Sequence, residues 1–326
     1  MWSPGRTRLL VALVAALSAA AVVGVTVLQA DGGESETAAT DVREAPPLEL
    51  GIVLADDALA RSLRAAEREY DEGRRSAARE RFEAILAENP DSVEAAVGAA
   101  VAAWPAGTVE QLEALVAEQP GSGLARLHLG LAHLASGEDV AAADQWRVAQ
   151  ERDPDSPAAL RAEDLLHPNM APGRPPFVLP TTPADDLREL APERQLAELE
   201  RRAEVGGVRD WLLLGSVYQR VGRPVSAERA FQRALELAPR DVDARVAAAV
   251  GRFDKDAPSR TFSRLGPLTR EEPNAAVVRY HLGLCLSWIG AVEEARRQLR
   301  LASDAESGFY SREAERLLAR LEAATE

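Results

Sequence analysis

The side chains in this sequence that could do catalysis or bind a metal are few and widely spaced. Histidine occurs four times, at His128, His133, His167 and His281, and cysteine once, at Cys285. His128 and His133 are five residues apart, which does not place them on one face of a helix. No HExxH motif, glycine-rich phosphate loop or GxSxG turn is present. The sequence therefore predicts no catalytic residues, no metal site and no cofactor.

The acidic composition argues against one class of partner. The net charge is −14 at pH 7, and no run of Lys and Arg with interleaved aromatic residues occurs. Nucleic acid is therefore not the expected partner, because phosphate binding needs a basic face. We interpret the acidic excess as an aid to solubility. The single cysteine cannot form an intrachain disulfide, and we expect Cys285 to be a buried, unreactive thiol.

Residues 208–241 show a regular spacing of small, aromatic and proline residues. Counted from residue 208, positions 4, 7, 8, 11, 15, 20, 24, 27 and 32 are Trp211, Leu214, Gly215, Tyr218, Gly222, Ala227, Phe231, Ala234 and Pro239. This spacing resembles the tetratricopeptide repeat (TPR), a pair of antiparallel helices. In such a pair, Gly215 and Ala227 let the two helices approach closely, and Phe231 fills the space between them. Gly222 ends the first helix.

The same spacing recurs in phase along most of the chain. Further copies occupy 59–92, 93–122 (shortened), 123–156, 242–275 and 276–309. One repeat cannot bury its apolar face alone, so neighbours must stack on it. The resemblance therefore implies an all-α fold, a solenoid of helix-turn-helix TPR units in two arrays, 56–166 and 187–326. The last helix of the second array, 311–324, is amphipathic and suits a capping role.

Two segments outside the repeats are rich in proline and glycine. Residues 31–55 also contain Glu and Thr, and we interpret them as a flexible linker. Residues 167–186 show little apolar periodicity, which indicates an inter-array linker rather than a folded element. The core of this linker, Pro175–Pro180, should be extended in a polyproline-like conformation. It could dock on either array or on a partner.

An apolar stretch near the N-terminus bears on the compartment. Arg6 and Arg8 precede residues 9–28, which approach the ~20 residues that span a membrane and exceed the roughly 7–15 of a cleaved signal peptide. We therefore interpret residues 1–30 as a signal anchor with a single transmembrane helix ahead of the arrays. The preceding positive charge keeps the N-terminus in the cytoplasm, so the TPR region is expected to be extracytoplasmic. The alternative is cleavage after Ala30, which would give a secreted protein.

The resemblance also implies a binding surface. In TPR arrays the concave face is lined by positions 2, 5, 9, 12 and 13 of each first helix, which in the second array give Arg209, Leu212, Ser216, Gln219, Arg220, Val246, Val250, Phe253, Val277, Tyr280, Leu284 and Trp288. This predicted peptide-binding groove is apolar, and we expect its aromatic residues to be open to a partner peptide. The alternative is that a linker or a neighbouring helix covers it. In the first array the matching residues include Glu67 and Tyr70, beside leucines that could belong to the core.

An anchor followed by TPR arrays implies a membrane-tethered extracytoplasmic scaffold or adaptor that binds proteins or peptides, for example in the assembly of an envelope complex. The arrangement also resembles assembly factors of cytochrome c maturation, and residues 196–218 are similar to the TPR region of those factors. A translocon-associated chaperone, holding secreted chains in the groove, is a further alternative. Neither an enzyme nor a small-molecule substrate is expected, and the fold by itself does not identify the partner.

The anchor hypothesis predicts how the chain fractionates. If residues 9–28 span the bilayer, washing membranes with carbonate should leave the full-length chain in the membrane pellet, because a spanning helix is not released by alkali. N-terminal sequencing should then begin at the initiator region. A soluble form beginning near Asp31 would contradict the anchor and support the cleaved signal.

Overall fold

The structure is a computed structural model that describes residues 44–181, 185–305 and 308–323. The predicted anchor, residues 9–28, lies outside these ranges. Within them, no helix is long and apolar enough to cross a membrane. The described residues form helices joined by loops and extended segments, with no strand among them. The prediction of an all-α fold is confirmed.

The first array consists of three helix pairs and a terminal helix. These are α1 (Ala58–Asp71), α2 (Arg75–Glu88), α3 (Val93–Ala102), α4 (Thr108–Glu118), α5 (Gly123–Ala135), α6 (Asp139–Arg152) and α7 (Pro157–Leu166). Each predicted repeat between 59 and 156 coincides with one helix pair, including the shortened repeat at 93–122. The terminal helix α7 packs against both helices of the third pair.

The second array has the same plan with two additional leading helices, α8 and α9. Its elements are α8 (Asp185–Arg188), α9 (Pro192–Val205), α10 (Val208–Arg220), α11 (Pro224–Leu237), α12 (Val242–Val250), α13 (Ser259–Glu271), α14 (Ala276–Trp288), α15 (Val292–Ser303) and α16 (Phe309–Ala323). The three pairs α10–α11, α12–α13 and α14–α15 match the predicted repeats. The terminal helix α16 packs on the last pair, as α7 does in the first array.

Local sequence determines where the helices begin and turn. Five helices start at a side chain that accepts a hydrogen bond from the backbone N–H three residues later, namely Asp57, Ser92, Ser122, Ser156 and Asp241. Proline stands in the first turn of α7, α9 and α11, where a backbone N–H has no helical partner to lose. The turn between α10 and α11 requires a φ of +75° at Gly222, which glycine adopts without strain.

The two helices of a pair meet at a glycine that faces a large side chain. A Cβ atom added to Gly215 would lie 2.3 Å from the ring of Phe231, and one added to Gly130 would lie 2.3 Å from the ring of Trp146. These glycines occupy position 8 of their repeats, and the aromatic residues occupy position 24. The prediction that position 8 must be small is therefore confirmed. Phe231 is fully buried by this contact, which contributes about 1.5–3 kcal/mol relative to exposure.

Charged side chains join the first array to the second. Asp155, in the turn before α7, accepts hydrogen bonds from the backbone N–H (2.9 Å) and the hydroxyl (2.6 Å) of Ser226 in α11. Lys255, in the loop after α12, is buried, and its ammonium group donates to the carboxylate of Asp164. Its backbone N–H donates to Glu163 at 3.1 Å. A buried ammonium needs such partners because desolvating an isolated charge is costly. These contacts fix α7 against the second array.

The segments predicted as linkers are ordered against the arrays. Residues 44–55, the described part of the predicted flexible linker 31–55, are extended, and Leu48 and Leu50 are buried against the first array. The linker between the arrays is extended as predicted, but Phe177 is buried in the core of the second array. The expectation of flexibility is wrong for 44–55. Burial of one large apolar side chain contributes about 1.5–3 kcal/mol, which offsets part of the entropy lost on ordering the segment.

Replacing Gly215 by leucine should destabilise the second array. The added side chain overlaps the ring of Phe231, and overpacking of a close contact costs about 1–3 kcal/mol. Thermal or denaturant unfolding of the Gly215→Leu chain measures this loss.

A second substitution tests the cause. In the double variant Gly215→Leu, Phe231→Ala, the ring that the new leucine side chain would meet is gone, so the two single losses should sum to more than the measured loss of the double variant. As a control, Val140→Leu changes an exposed helix residue and should leave stability within about 0.5 kcal/mol of the parent chain. Strictly additive losses would show that residues 215 and 231 do not meet.

Candidate functional site

The predicted groove of the second array contains part of the same chain. We define the second groove as the surface formed by α10, α12 and α14 together with the terminal helix α16. The linker segment, residues 171–181, lies in it in an extended conformation. Phe177 joins the apolar cluster that also contains Leu212, Val246 and Tyr280. The groove is therefore occupied by the chain itself.

The groove recognises the main chain of two consecutive linker residues. The N–H of Phe177 donates to Gln219 Oε1 at 2.8 Å, and the hydroxyl of Ser216 lies 3.5 Å from the Phe177 carbonyl oxygen. The N–H of Val178 donates to Nε2 of His281 at 3.0 Å, and the hydroxyl of Tyr310 donates to the Val178 carbonyl at 3.0 Å. Four backbone groups thus face side chains of the groove. This is how main-chain contacts hold an extended peptide irrespective of much of its sequence.

The side chain of Phe177 provides the apolar part of the contact. It is 2% exposed. Its ring packs edge-on against Phe231 with the centroids 5.5 Å apart, and it stacks on the imidazole of His281 at 5.0 Å. Such ring pairs contribute about 0.5–1.5 kcal/mol beyond the burial of area. Phe177 is therefore the anchor of the linker segment.

Further contacts hold the two ends of the linker segment. The indole N–H of Trp288 donates to the carbonyl of Gly173 at 3.1 Å, and the N–H of Ala171 donates to the backbone carbonyl of Trp288 at 3.0 Å. At the other end, the guanidinium of Arg209 donates to the hydroxyl of Thr181 at 3.1 Å. Trp288 is at the C-terminal end of α14 and Arg209 at the N-terminal end of α10. The segment therefore runs antiparallel to the first helices.

The first array contains a corresponding site. We define the first groove as the surface formed by α1, α3, α5 and α7, and the N-terminal segment as residues 44–55. The hydroxyl of Tyr70 donates to the carbonyl of Pro46 at 2.6 Å, and the N–H of Leu50 donates to Glu67 Oε1 at 2.8 Å. The N–H of Glu49 donates to His128 Nε2 at 3.1 Å. Here too an extended segment is held through its main chain.

Two buried histidines supply the acceptors at the centre of these sites. His128 and His281 have no exposed surface. The Nδ1 atom of His128 lies 3.0 Å from the carbonyl oxygen of Leu124, and that of His281 lies 2.8 Å from the carbonyl oxygen of Val277, in each case one turn earlier in the helix. Because Nε2 accepts from the segment, the proton sits on Nδ1 and donates to that carbonyl. Burial lowers the pKa of both imidazoles to about 4, although the hydrogen bond to the backbone carbonyl by itself raises the pKa. Both rings are therefore neutral at pH 7.

Apart from Arg220, the predicted groove residues fall into two groups. Arg209, Ser216 and Gln219 contact the linker segment through polar atoms. The apolar members are buried, and they are Leu212, Val246, Val250, Phe253, Val277, Tyr280, Leu284 and Trp288. Arg220 is half-buried, and desolvation lowers its pKa. Whether these residues bind a partner stays a prediction.

The expectation that the groove aromatics are open to solvent is wrong. Tyr280 is 5% exposed and Trp288 is 7% exposed. The linker segment and α16 cover them, and the ring centroids of Tyr280 and Tyr310 are 5.9 Å apart. The linker therefore covers the groove, which was the alternative prediction. Desolvation also raises the pKa of Tyr280 well above its usual value.

Sequence reasoning did not identify His281 or Tyr310 as groove residues. His281 is at position 6 of its repeat, which is not one of the positions assigned to the concave face, and Tyr310 precedes the predicted capping helix. One signal was available, since His128 occupies the same position 6 in the first array. Cys285 is buried as expected, and burial raises the pKa of its thiol; its lack of reactivity stays a prediction. In the described ranges, no group of three or more His, Cys, Asp or Glu side chains could hold a metal ion.

Comparisons with known proteins agree with the repeat assignment. Sequence models of the tetratricopeptide repeat family match residues 63–111, 109–157 and 208–250. A search of curated proteins finds no significant match. Residues 63–111 run from α1 into α4, residues 109–157 from α4 to the start of α7, and residues 208–250 over α10, α11 and α12, so the matches fall in both arrays.

Solved structures that match this chain include several repeat proteins. One, from Parabacteroides merdae, is 14% identical over 81% of this chain and 98% of its own, with a TM-score of 0.34. A thermophilic protein of Thermus thermophilus is 22% identical over 60% of this chain and 98% of its own, with a TM-score of 0.27. YrrB, described as having an unusual peptide-binding site, is 16% identical over 64% and 99%, with a TM-score of 0.30. The family assignment rests on the sequence models and not on these superpositions.

Acid should loosen both segments. The unfolded chain binds a proton at each histidine below about pH 6.5, but the folded chain does so only near pH 4. The folded state should therefore lose stability as the pH falls from about 6.5 to about 4, by roughly 3 kcal/mol for each imidazole. Denaturant unfolding across this pH range measures the loss.

A variant at one histidine separates this effect from the titration of carboxylates. His281→Gln retains a hydrogen-bond acceptor and a donor but does not titrate. Between pH 6.5 and 4 this variant should therefore lose less folding stability than the parent chain, by about the contribution of one imidazole. All carboxylates are common to both chains and cancel in the comparison. Identical pH profiles for the two chains would contradict the assigned role of His281.

Proposed function

We propose that this chain, which is a tetratricopeptide repeat protein, binds an extended peptide of a partner protein in its second groove, in exchange with its own linker segment. The family mediates protein and peptide interactions, and it is a family of scaffolds rather than of enzymes. The observation that carries the proposal is that Gln219 and His281 accept hydrogen bonds from the main-chain N–H groups of residues 177 and 178, and Tyr310 donates one to the carbonyl of residue 178. Backbone groups are common to all peptides, so a foreign segment can make the same contacts.

The linker segment can leave without unfolding a helix. Residues 171–181 are not helical, and they follow α7 and precede α8 along the chain. Release exposes the apolar surface around Phe177, so a replacing peptide must offer an apolar side chain at the same place. The bound segment is on the same chain, and such tethering gives an effective concentration in the millimolar range. We therefore expect weak apparent affinity for a free peptide until the linker segment is displaced or weakened.

The wider role that we propose is that of a membrane-tethered scaffold. In this proposal residues 9–28 anchor the chain, the arrays are extracytoplasmic, and the grooves collect segments of proteins that assemble in the envelope. The sequence alone supports this part. The likeness of residues 196–218 to cytochrome c maturation factors keeps that specific role as an alternative, and a translocon-associated chaperone is another. Cross-linking at the groove followed by identification of the bound chain distinguishes a cytochrome precursor from general secreted chains.

Binding in trans to a chain with a weakened linker tests the proposal. Phe177→Ala removes the anchor of the linker segment, and Phe→Ala at a buried site costs about 3–5 kcal/mol. A labelled peptide that copies residues 171–181 should therefore bind the Phe177→Ala chain at least tenfold more tightly than it binds the parent chain, as followed by fluorescence anisotropy. The same peptide with alanine in place of its phenylalanine is the matched control and should not bind.

Native-state hydrogen exchange gives an independent measurement on the unaltered chain. If the linker segment exchanges with peptides, the Val178 amide should open at a lower free energy than the amides in the middle of α14. Exchange of Val178 only through global unfolding would show that the segment is a permanent part of the core. A Phe177→Ala chain that melts as a folded protein and binds no peptide would contradict the proposal as well.

A further inference from the structure

Two segments of this chain share one five-residue pattern. Residues 46–50 read Pro-Pro-Leu-Glu-Leu, and residues 175–179 read Pro-Pro-Phe-Val-Leu. Each consists of a proline pair, an apolar residue, a variable residue and a leucine. The apolar residue after the proline pair is buried in both, with Leu48 at 4% exposed and Phe177 at 2%. The same pattern thus presents an apolar side chain at the same place to two different arrays.

The variable residue of each segment meets a histidine in the same way. The N–H of Glu49 donates to His128 at 3.1 Å, and the N–H of Val178 donates to His281 at 3.0 Å. Each histidine occupies position 6 of the first helix in the third repeat of its array. In both cases the other ring nitrogen is bound to the carbonyl one turn earlier. The two contacts join equivalent sequence positions through the same pair of atoms.

Two further positions of each groove contact the bound segment, at different residues of the five-residue pattern. At position 12 of the first repeat, Tyr70 contacts the N-terminal segment and Gln219 contacts the linker segment. At position 9 of the same repeat, Glu67 contacts the N-terminal segment and Ser216 contacts the linker segment. In both grooves the residue at position 12 contacts a backbone group that comes earlier in the segment than the group contacted from position 9. The two segments therefore lie in the same orientation.

We infer that the first and second grooves are two copies of one recognition site, and that each takes an extended Pro-Pro-apolar-x-Leu segment of a partner protein. This inference rests on the proposed function, since it assumes that a groove accepts a peptide in trans. A proline pair is already extended before binding, so a ligand of this pattern loses little conformational entropy. The residue x must supply an N–H to the buried histidine, so proline at x should be rejected.

The terminal helices make the two copies differ at residue x. In the first groove Arg161 of α7 forms an ion pair with the side chain of Glu49 at 2.9 Å. In the second groove Tyr310 of α16 donates instead to the backbone carbonyl of Val178. The side chain of Val178 packs against the apolar cluster of that array. Arg161 is therefore the residue that makes the first groove prefer an acidic x, while the second groove prefers an apolar x.

The test uses the full chain with both bound segments weakened by Leu48→Ala and Phe177→Ala. Two peptides serve as probes, copies of residues 44–52 and of residues 171–181. Titration calorimetry should show that each peptide binds, and that a mixture fills two sites per chain. Proline at x should weaken either peptide at least tenfold, because the histidine loses its hydrogen-bond partner.

The preference at x isolates the role of Arg161. Valine in place of glutamate in the 44–52 peptide should weaken its binding by about threefold, as expected for a half-exposed ion pair. Arg161→Gln should abolish that difference and leave binding of the 171–181 peptide unchanged. If the doubly substituted chain does not fold, the parent chain serves instead. Excess 44–52 peptide should then accelerate hydrogen exchange at the Glu49 amide of the parent chain.

The outcomes separate this inference from the proposed function. If the second groove binds its peptide and the first groove binds neither, the inference is overturned and the proposed function stands. If no peptide binds either groove, the proposed function is wrong and the inference is wrong as well. If the weakened chain forms dimers by exchanging segments and excludes both peptides, the occupant is a second copy of the chain, and the assignment to a partner protein is overturned.

Discussion

The structure depends on one constraint, which is that a stack of helix pairs leaves an apolar face on its first helices that must be covered. Close contact within a pair, such as Gly215 against Phe231, buries the interior of each repeat. It does not cover the side chains that point away from the second helix. In both arrays an extended, proline-containing segment of the same chain lies on that face, and Leu48 and Phe177 bury their side chains there.

An extended segment brings unpaired backbone groups into an apolar site, and this creates a need for acceptors. The buried imidazoles of His128 and His281 satisfy it because burial keeps them neutral at pH 7, so one ring nitrogen is free to accept. A buried N–H without a partner costs about 1–3 kcal/mol. The histidine and the segment therefore depend on each other, and the contact that stabilises the fold is also one that a foreign peptide can reproduce.

Much of the fold could be predicted from the sequence, because the repeat spacing is itself a packing rule. Glycine at position 8 opposite a large residue at position 24 determines where each pair lies, and the helix bounds follow from caps such as Ser122 and Asp241. The groove positions were found in part, since Ser216 and Gln219 do contact the occupant.

What occupies the groove could not be predicted from periodicity. Residues 44–55 and 171–181 have the composition of linkers, and their burial depends on a few apolar side chains between prolines. Periodicity describes contacts between neighbouring helices, whereas these contacts join residues far apart in the chain, such as Val178 and His281, 103 residues apart. Position 6 contributes to the groove because the segment lies against it, and the repeat spacing does not specify that contact.

The central claim is that the linker segment is a replaceable ligand of the second groove, and nuclear magnetic resonance of the isotope-labelled full chain tests it most directly. Unlabelled peptide copying residues 171–181 is added while the Val178 amide resonance is followed. The account predicts that this resonance moves to the position of a solvent-exposed amide as peptide is added, while the backbone amides of α14 keep their helical shifts. A Val178 resonance that stays in place at saturating peptide would contradict the account and assign the linker segment to the permanent core.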